Sequence, residues 1–367
     1  MENALTVYID FKSPYAYLAI EPTRALARDL GITVDWQPFV LDIPSYLGSA
    51  RLGKSGEVAE ASRSEDQWSG VKYAYYDCRR YANLRGMTIR GTVKIWDTDL
   101  AAVGMLWAKM QGDEILQRYL DGIYVPFWKR ELDVESVDVI EQVLAVAGAQ
   151  VDRFKTFAGG EGAQRNRAIQ EAAFDQGIFG VPTYVIGEDK YFGREHLPRI
   201  RWQLQGARGP APDIAYELLP GSAVEKAAVK NLEVGIGLHD PETVLAIPQV
   251  QRMAAELGLT VSWFALPNRK PGSHHEVADQ SRGARHRRYR RENRERDRDR
   301  YLQSEFTGGD CAQAVASLIN QYSITIQEDG STDGIAAAAY LGGPVFRLGE
   351  EVFVGRQHLP LIRARLE

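Results

Sequence analysis

Tyr8-Ile9-Asp10-Phe11-Lys12-Ser13-Pro14-Tyr15 joins two periodicities within eight residues. Upstream, residues 4–11 alternate with period two, the pattern of a strand with one buried face. Downstream, Ser13 suits a helix N-cap, and Pro14 suits the first helical position, where a missing N–H costs nothing. Tyr17, Leu18, Ile20, Ala25 and Leu26 then recur as one helical face as far as Leu30, and Gly31 suits the C-terminal cap. Residues 32–40, rich in β-branched and aromatic side chains, predict a second strand. A βαβ unit is the expected start of the chain.

Working outward, residues 55–177 read as mostly helical, with periodic segments at 71–84, 98–109, 113–129 and 137–145. Gly180-Val181-Pro182 then leads into a strand at 183–186, a turn at 187–189, a short strand at 190–192 and a helix from about Glu195. The predicted order is βαβ, helical insertion, ββα. It recurs. Residues 5–36 and 232–263 align without a gap at an offset of 227, with 13 of 32 positions identical. Residues 180–201 and 342–363 align at an offset of 162, with 11 of 22 identical, so the second copy lacks 65 residues of the insertion. The expected architecture is α/β, two tandem domains at 1–205 and 231–367 joined by a Gly- and Pro-containing linker at 206–230, the second with a shortened insertion at 281–336.

The 367 residues are 44% apolar, 10% aromatic and 25% charged, which excludes a disordered chain, a collagen-like repeat and a coiled coil. No run of about 18 apolar residues predicts a membrane span, and the first residues lack the pattern of a signal peptide. Cys78 and Cys311 form no CxxC pair, so neither a disulfide framework nor a cysteine-rich zinc site is expected. The expected location is the cytoplasm. Net charge is −5, yet residues 282–300 hold ten arginines and four acids, leaving −11 elsewhere. An acidic body with one basic stretch is a poor general nucleic-acid binder.

Three ordered motifs carry a family resemblance: Tyr8 to Tyr15, Asp77-Cys78-Arg79-Arg80-Tyr81-Ala82, and Gly180-Val181-Pro182-Thr183. The chain resembles the thioredoxin fold in its DsbA-like form, and more narrowly 2-hydroxychromene-2-carboxylate isomerases and kappa-class glutathione transferases. The resemblance implies two thioredoxin-like domains, the second degenerate, and glutathione as cofactor. Redox-active relatives place a cysteine where Ser13 stands. A hydroxyl there can instead donate to a thiolate, and the unpaired N–H groups and positive dipole end of the helix favour an anion. Lowering a thiol pKa by two units takes roughly 2.7 kcal/mol of preferential thiolate stabilisation. The resemblance also implies a cis bond before Pro182, which frees the Val181 backbone to pair with the glutathione peptide; read alone, Val181-Pro182 simply starts a strand.

Ser13 is the candidate catalytic residue, with the bland alternative of a plain N-cap. Val181, Pro182, Arg194 and Glu195 are candidate cofactor contacts, although the isomerases tend to carry Asn-Asp where Arg194-Glu195 stands. Lys12, Tyr15, Asp77, Arg80 and Tyr81 are candidate cleft residues. Against that stand a solvent-facing Lys12, a core Tyr15 and a routine (i, i+3) surface pair for Asp77 and Arg80. In the second copy Asp240 replaces Ser13 and Glu242 replaces Tyr15, and a carboxylate would repel a thiolate. The arginine stretch reads either as a solvated helix or as a basic wall for an anion or another subunit. His274-His275 lacks further ligand spacing, so no metal is expected. His196 and His358 recur and suggest a shared structural role.

The resemblance thus implies a glutathione-dependent isomerase of a small conjugated, aromatic-derived carbonyl or carboxylate compound. A kappa-type transferase uses the same site if the reaction stops after addition, and a redox-inert thioredoxin-like binding or scaffold protein is the rival class. Dithiol oxidoreduction is set aside, as no cysteine stands near either helix start. The expected partner is a small-molecule substrate, without nucleic acid or membrane; a homodimer is compatible with the sequence.

Overall fold

Buried Leu5, Val7 and Ile9 alternate with half-exposed neighbours in β1 (Leu5–Ile9), a strand that ends two residues before the sequence pattern suggests. Phe11 and Lys12 instead form the turn into α1 (Pro14–Leu30), which Gly31 ends in the left-handed conformation at φ 61°. The computed structural model describes residues 5–53, 58–267, 281–302, 310–327 and 343–367. They pack as two units: Met1–Arg194 with Ser281–Tyr289, and Glu195–Gln280 with Arg290–Glu367.

In the first unit, β2 (Val34–Pro38) runs parallel to β1, with Val7 opposite Trp36. β3 (Ala50–Leu52) and β4 (Val58–Ala61) form a separate antiparallel hairpin. That corrects the helical reading from residue 55. β4 is exposed along its whole length, so no alternation marks it in the sequence. The insertion then runs through α3 (Glu65–Asn83), α4 (Asp99–Met110), α5 (Asp113–Trp128), α6 (Val137–Val146), α7 (Phe154–Gly159) and α8 (Glu161–Asp175), after a short α2 (Ile43–Leu47). α3 starts earlier than its apolar spacing suggests because Ser64 and Gln67 close a reciprocal capping box. β5 (Thr183–Ile186) pairs antiparallel with β1, placing Val7 opposite Tyr184, and β6 (Asp189–Phe192) completes a sheet of order β2-β1-β5-β6. Phe11 and Tyr17 pack on Tyr124, the latter pair parallel at 5.1 Å, which fastens the start of α1 to the insertion.

The second unit has sheet order β11-β10-β7-β8-β9, formed by β7 (Asn231–Ile236), β8 (Thr260–Ala265), β9 (Ile326–Gln327), β10 (Val345–Leu348) and β11 (Glu351–Val354). Two-residue β9 is too short for sequence periodicity to reveal. The unit also holds α9 (Leu197–Leu204), α10 (Pro241–Leu257), α12 (Cys311–Gln321) and α13 (Leu359–Leu366). α9 starts after a 3-10 turn at Arg194–His196, two residues later than expected. No helix or strand occupies residues 206–230. The arginine stretch is the helix α11 (Arg282–Tyr301), whose first residues belong to the first unit. Among the described residues, no helix is long and apolar enough to cross a membrane.

Candidate active site

Asp10 organises the turn between β1 and α1. Its buried carboxylate accepts from Lys12 N (3.2 Å), Leu41 N (2.7 Å) and Thr98 Oγ1 (2.6 Å), and Lys12 Nζ lies 3.6 Å away. Tyr124 donates to the Asp10 carbonyl at 3.1 Å, and Ser13 N donates to the same carbonyl at 3.1 Å. Lys12 is therefore 8% exposed beside an acid, not a solvent-facing lysine. Ser13, 5% exposed, caps α1 with extended backbone, and its Oγ accepts from Ala16 N at 3.2 Å. That bond uses the oxygen as acceptor, so the hydroxyl proton is available for donation.

α3 brings a second set of groups. Asp77 Oδ1 accepts from Arg80 at 2.9 Å, and Tyr15 OH donates to Oδ2 at 3.5 Å, the outer limit of a hydrogen bond. Asp77 and Arg80 are both buried, so their helical spacing does not make the routine surface pair. Arg194 lies over the Tyr81 ring at 4.5 Å and is itself 3% exposed. Burial pushes the Asp77 carboxyl up to about 6, against the opposing pull of Arg80, Arg194 and the Tyr15 hydroxyl. Burial also pushes the Cys78 thiol up, as does the neighbouring Asp77, so this cysteine is not poised as a thiolate.

The third set precedes β5. The Val181–Pro182 peptide bond is cis, as expected. Gly193 N donates to Pro182 O at 2.9 Å, and Thr183 Oγ1 donates to Gly180 O at 2.7 Å. Gly180 has a steric reason: a Cβ there would stand 2.6 Å from the Phe192 ring. Because β5 is antiparallel to β1 with Tyr8 opposite Thr183, Val181 and Pro182 come to the end of the sheet from which α1 departs. Ser13, Tyr15, Asp77, Arg80, Tyr81, Val181, Pro182 and Arg194 thus all belong to the first unit. Glu195 belongs to the second, where its carbonyl accepts from Ala215 N at 2.9 Å.

Several participants escaped the sequence. Asp10, Thr98, Leu41 and Tyr124 meet only through the fold; an acid at the end of the strand was the one local sign. His286, from the start of α11, stacks on Tyr46 at 3.9 Å and meets Phe179 edge-on at 5.6 Å, beside Gly180 in sequence. No local signal connects residues so far apart. His196 and His358 are buried as expected of structural groups, His196 Nδ1 lying 2.7 Å from Tyr301 OH and His358 packing on Phe353. His274-His275 lies outside the described residues, among which no group of three or more His, Cys, Asp or Glu could hold a metal.

In the second unit, Asp240 caps α10 by accepting from Glu242 N at 3.0 Å, and its other oxygen accepts from Gly343 N at 3.1 Å. Asp240 and Gly343 stand at the offsets of Ser13 and Val181. A carboxylate of the chain itself bridges those two positions.

Comparison with known proteins gives matches over slightly more than half of the chain. Residues 4–205 match the profile of the DSBA-like thioredoxin domain family. A 2-hydroxychromene-2-carboxylate isomerase of Pseudomonas putida is 25% identical over 206 residues, covering 55% of this chain and 92% of the relative. A solved 2-hydroxychromene-2-carboxylate isomerase superposes with a TM-score of 0.43 at 22% identity, over 55% of this chain and 93% of its own. A probable DsbA oxidoreductase of Streptomyces coelicolor gives a TM-score of 0.44 at 21% identity, over 58% of this chain and 94% of its own.

Proposed function

The chain belongs to the DSBA-like thioredoxin domain family, and from that premise we propose that it is a glutathione-dependent isomerase of a small conjugated carbonyl or carboxylate compound. Isomerase relatives that match just over half of the chain support the reaction class. The observation that carries the residue assignment is Ser13, whose oxygen is engaged by Ala16 N while its proton remains to be donated at the N-terminus of a 17-residue helix. A thiolate placed there meets one hydroxyl donor and the positive end of the helix. Bound there, glutathione would supply a thiolate nucleophile able to add reversibly to a conjugated double bond, so that it would be regenerated and no oxidant consumed, while Ser13 and the N-terminal end of the helix would hold its sulfur as the thiolate.

Val181 and Pro182 would hold the peptide of the cofactor, and Arg194 its carboxylate. Tyr15, Asp77, Arg80 and Tyr81 would line the substrate side. Lys12 acts on this reading through Asp10, holding the loop. Buried Cys78 offers no second thiol for dithiol chemistry. The second unit is on this proposal a degenerate copy: α1 and α10 are offset by 227 at both ends, and β5, β6, α9 and β10, β11, α13 by 162 throughout.

Calorimetric titration of glutathione into wild type and Ser13→Ala, with the thiolate followed by absorbance, tests the reading. Binding with a depressed thiol pKa that Ser13→Ala restores is expected, followed by turnover of a chromene or benzylidenepyruvate substrate. A stable adduct in place of the isomer would make the site a transferase. No binding at millimolar glutathione overturns the mechanism and leaves the redox-inert binding protein.

A further inference from the structure

Arg356 is 1% exposed along its side chain, a costly place for a guanidinium unless anions meet it. Asp213 meets it in bidentate fashion, Oδ2 accepting from Nε at 2.6 Å and Oδ1 from Nη2 at 2.8 Å. Gln249 Nε2 donates to Asp213 Oδ2 at 2.6 Å, and Glu242 takes the remaining edge of the guanidinium at Nη1. Tyr301 lies under the cation at 5.5 Å. A planar fork of N–H groups, a side-chain amide and an aromatic floor are the parts of a carboxylate-recognition site.

The acid filling it comes from an unusual source. Asp213 follows Pro210-Ala211-Pro212 in a segment without helix or strand, anchored before those residues by Trp202 Nε1, which donates to Arg208 O at 3.0 Å, and after Asp213 by a few further bonds. Ala215 N donates to Glu195 O at 2.9 Å, Tyr216 N donates to Gln357 O at 2.8 Å, and the Tyr216 ring packs edge-on against His358 at 5.1 Å. The Asp213 side chain keeps 25% exposure, so the carboxylate sits at the rim, where solvent reaches it. Residues on the helices and turns of the unit form the receptor; a strap supplies the anion.

We propose that Arg356 and Gln249 form a binding site for a small carboxylate in the second unit, and that the linker keeps this site filled with Asp213. All its parts lie in one unit, and it stands independently of the function assigned to Ser13. Glu242 neutralises the cation without occupying the fork, so removal of Asp213 leaves a buried cation with two donors directed at an open position.

Thermal unfolding of the full chain in acetate, acetamide and chloride at matched ionic strength tests this. In Asp213→Ala, acetate at roughly ten times its Kd is expected to raise Tm by about 3–5 °C in a saturable way. Wild type is expected to show no such shift, and acetamide, planar but uncharged, to give none in either protein. If Asp213→Ala does not fold, Asp213→Ser, whose shorter side chain also vacates the fork, decides the matter by the same ranking. An acetate response equal in variant and wild type, its absence from the folded variants, or an equal response to acetamide would overturn the proposal.

Discussion

Lys12 N, Leu41 N and the Thr98 hydroxyl converge on one side chain, Asp10, from three separate parts of the chain. Replacing it with alanine strands those donors and the Lys12 ammonium in the interior, so Asp10→Ala should cost about 3–5 kcal/mol, read as a lowered urea midpoint at unchanged m-value. An unchanged midpoint would mean that water satisfies the donors. Asp77 makes a pH-dependent prediction. Its folded pKa of about 6 lies above the ordinary 3.8, so the folded state holds the proton more tightly, and this contribution to stability is present below 3.8 and lost as pH rises through 6. Between pH 4.5 and 7.5 the loss should be about 2 kcal/mol. Asp77→Asn should remove it, so urea unfolding of the two proteins at both pH values should show their difference changing by that amount. Ser13 was legible as a cap because capping is decided within three residues. Asp10 was not, because its partners lie 31 and 88 residues away.

α1 holds a proline at its centre, and the repair comes from beyond another helix's end. Pro22 has no N–H for the Leu18 carbonyl one turn back; Arg85 Nη1 donates to that oxygen instead, at 2.8 Å. Burial lowers the Arg85 pKa to about 10, with Arg194 pushing the same way. Arg85→Met should therefore cost about 1–3 kcal/mol by leaving a buried acceptor unmet. In a Pro22→Ala background, the N–H restored at that position can reach Leu18 O, and the cost of losing Arg85 should fall by about 1 kcal/mol. A double-mutant cycle on denaturant unfolding measures that coupling; strict additivity would show that the Arg85 bond does not replace the missing helical one. Elements were readable where local chemistry fixes both ends, as Ser13, Pro14 and Gly31 do for α1. β4 has no buried face and α8 buries only Gly162, Asn166, Ala173 and Phe174, so neither shows a strong apolar period. Their existence depends on backbone pairing and on neighbours that no window of sequence contains.

At the scale of the molecule, the internal repeat, through the sequence identities at Pro14/Pro241, Gly31/Gly258 and Pro182/Pro344, marked matching element boundaries along the chain, but not the order in which the strands pair, nor β9. It could not show that Ser281–Tyr289 packs with the first unit, where Arg285 pairs with Asp175 at 2.6 Å and Arg282 lies 4.2 Å above the Phe174 ring. Those arginines sit in a run that composition alone presents as a uniform charged helix. The repeat also raises the question of how many thiols one chain holds. At the position of Ser13 the second unit has Asp240, whose carboxylate already accepts Gly343 N, and at the position of Arg194 it has Arg356, already engaged by Asp213 and Glu242. A thiolate entering there would meet a fixed negative charge where the first unit offers a hydroxyl proton. Glutathione should therefore titrate with a stoichiometry of about one per chain. Ser13→Ala should weaken that single event, while Asp240→Ala removes a helix cap, lowers Tm, and leaves both stoichiometry and affinity unchanged. A second equivalent that disappears with Asp240→Ala would show a working site in each unit, and the division of labour argued from these carboxylates would fall with it.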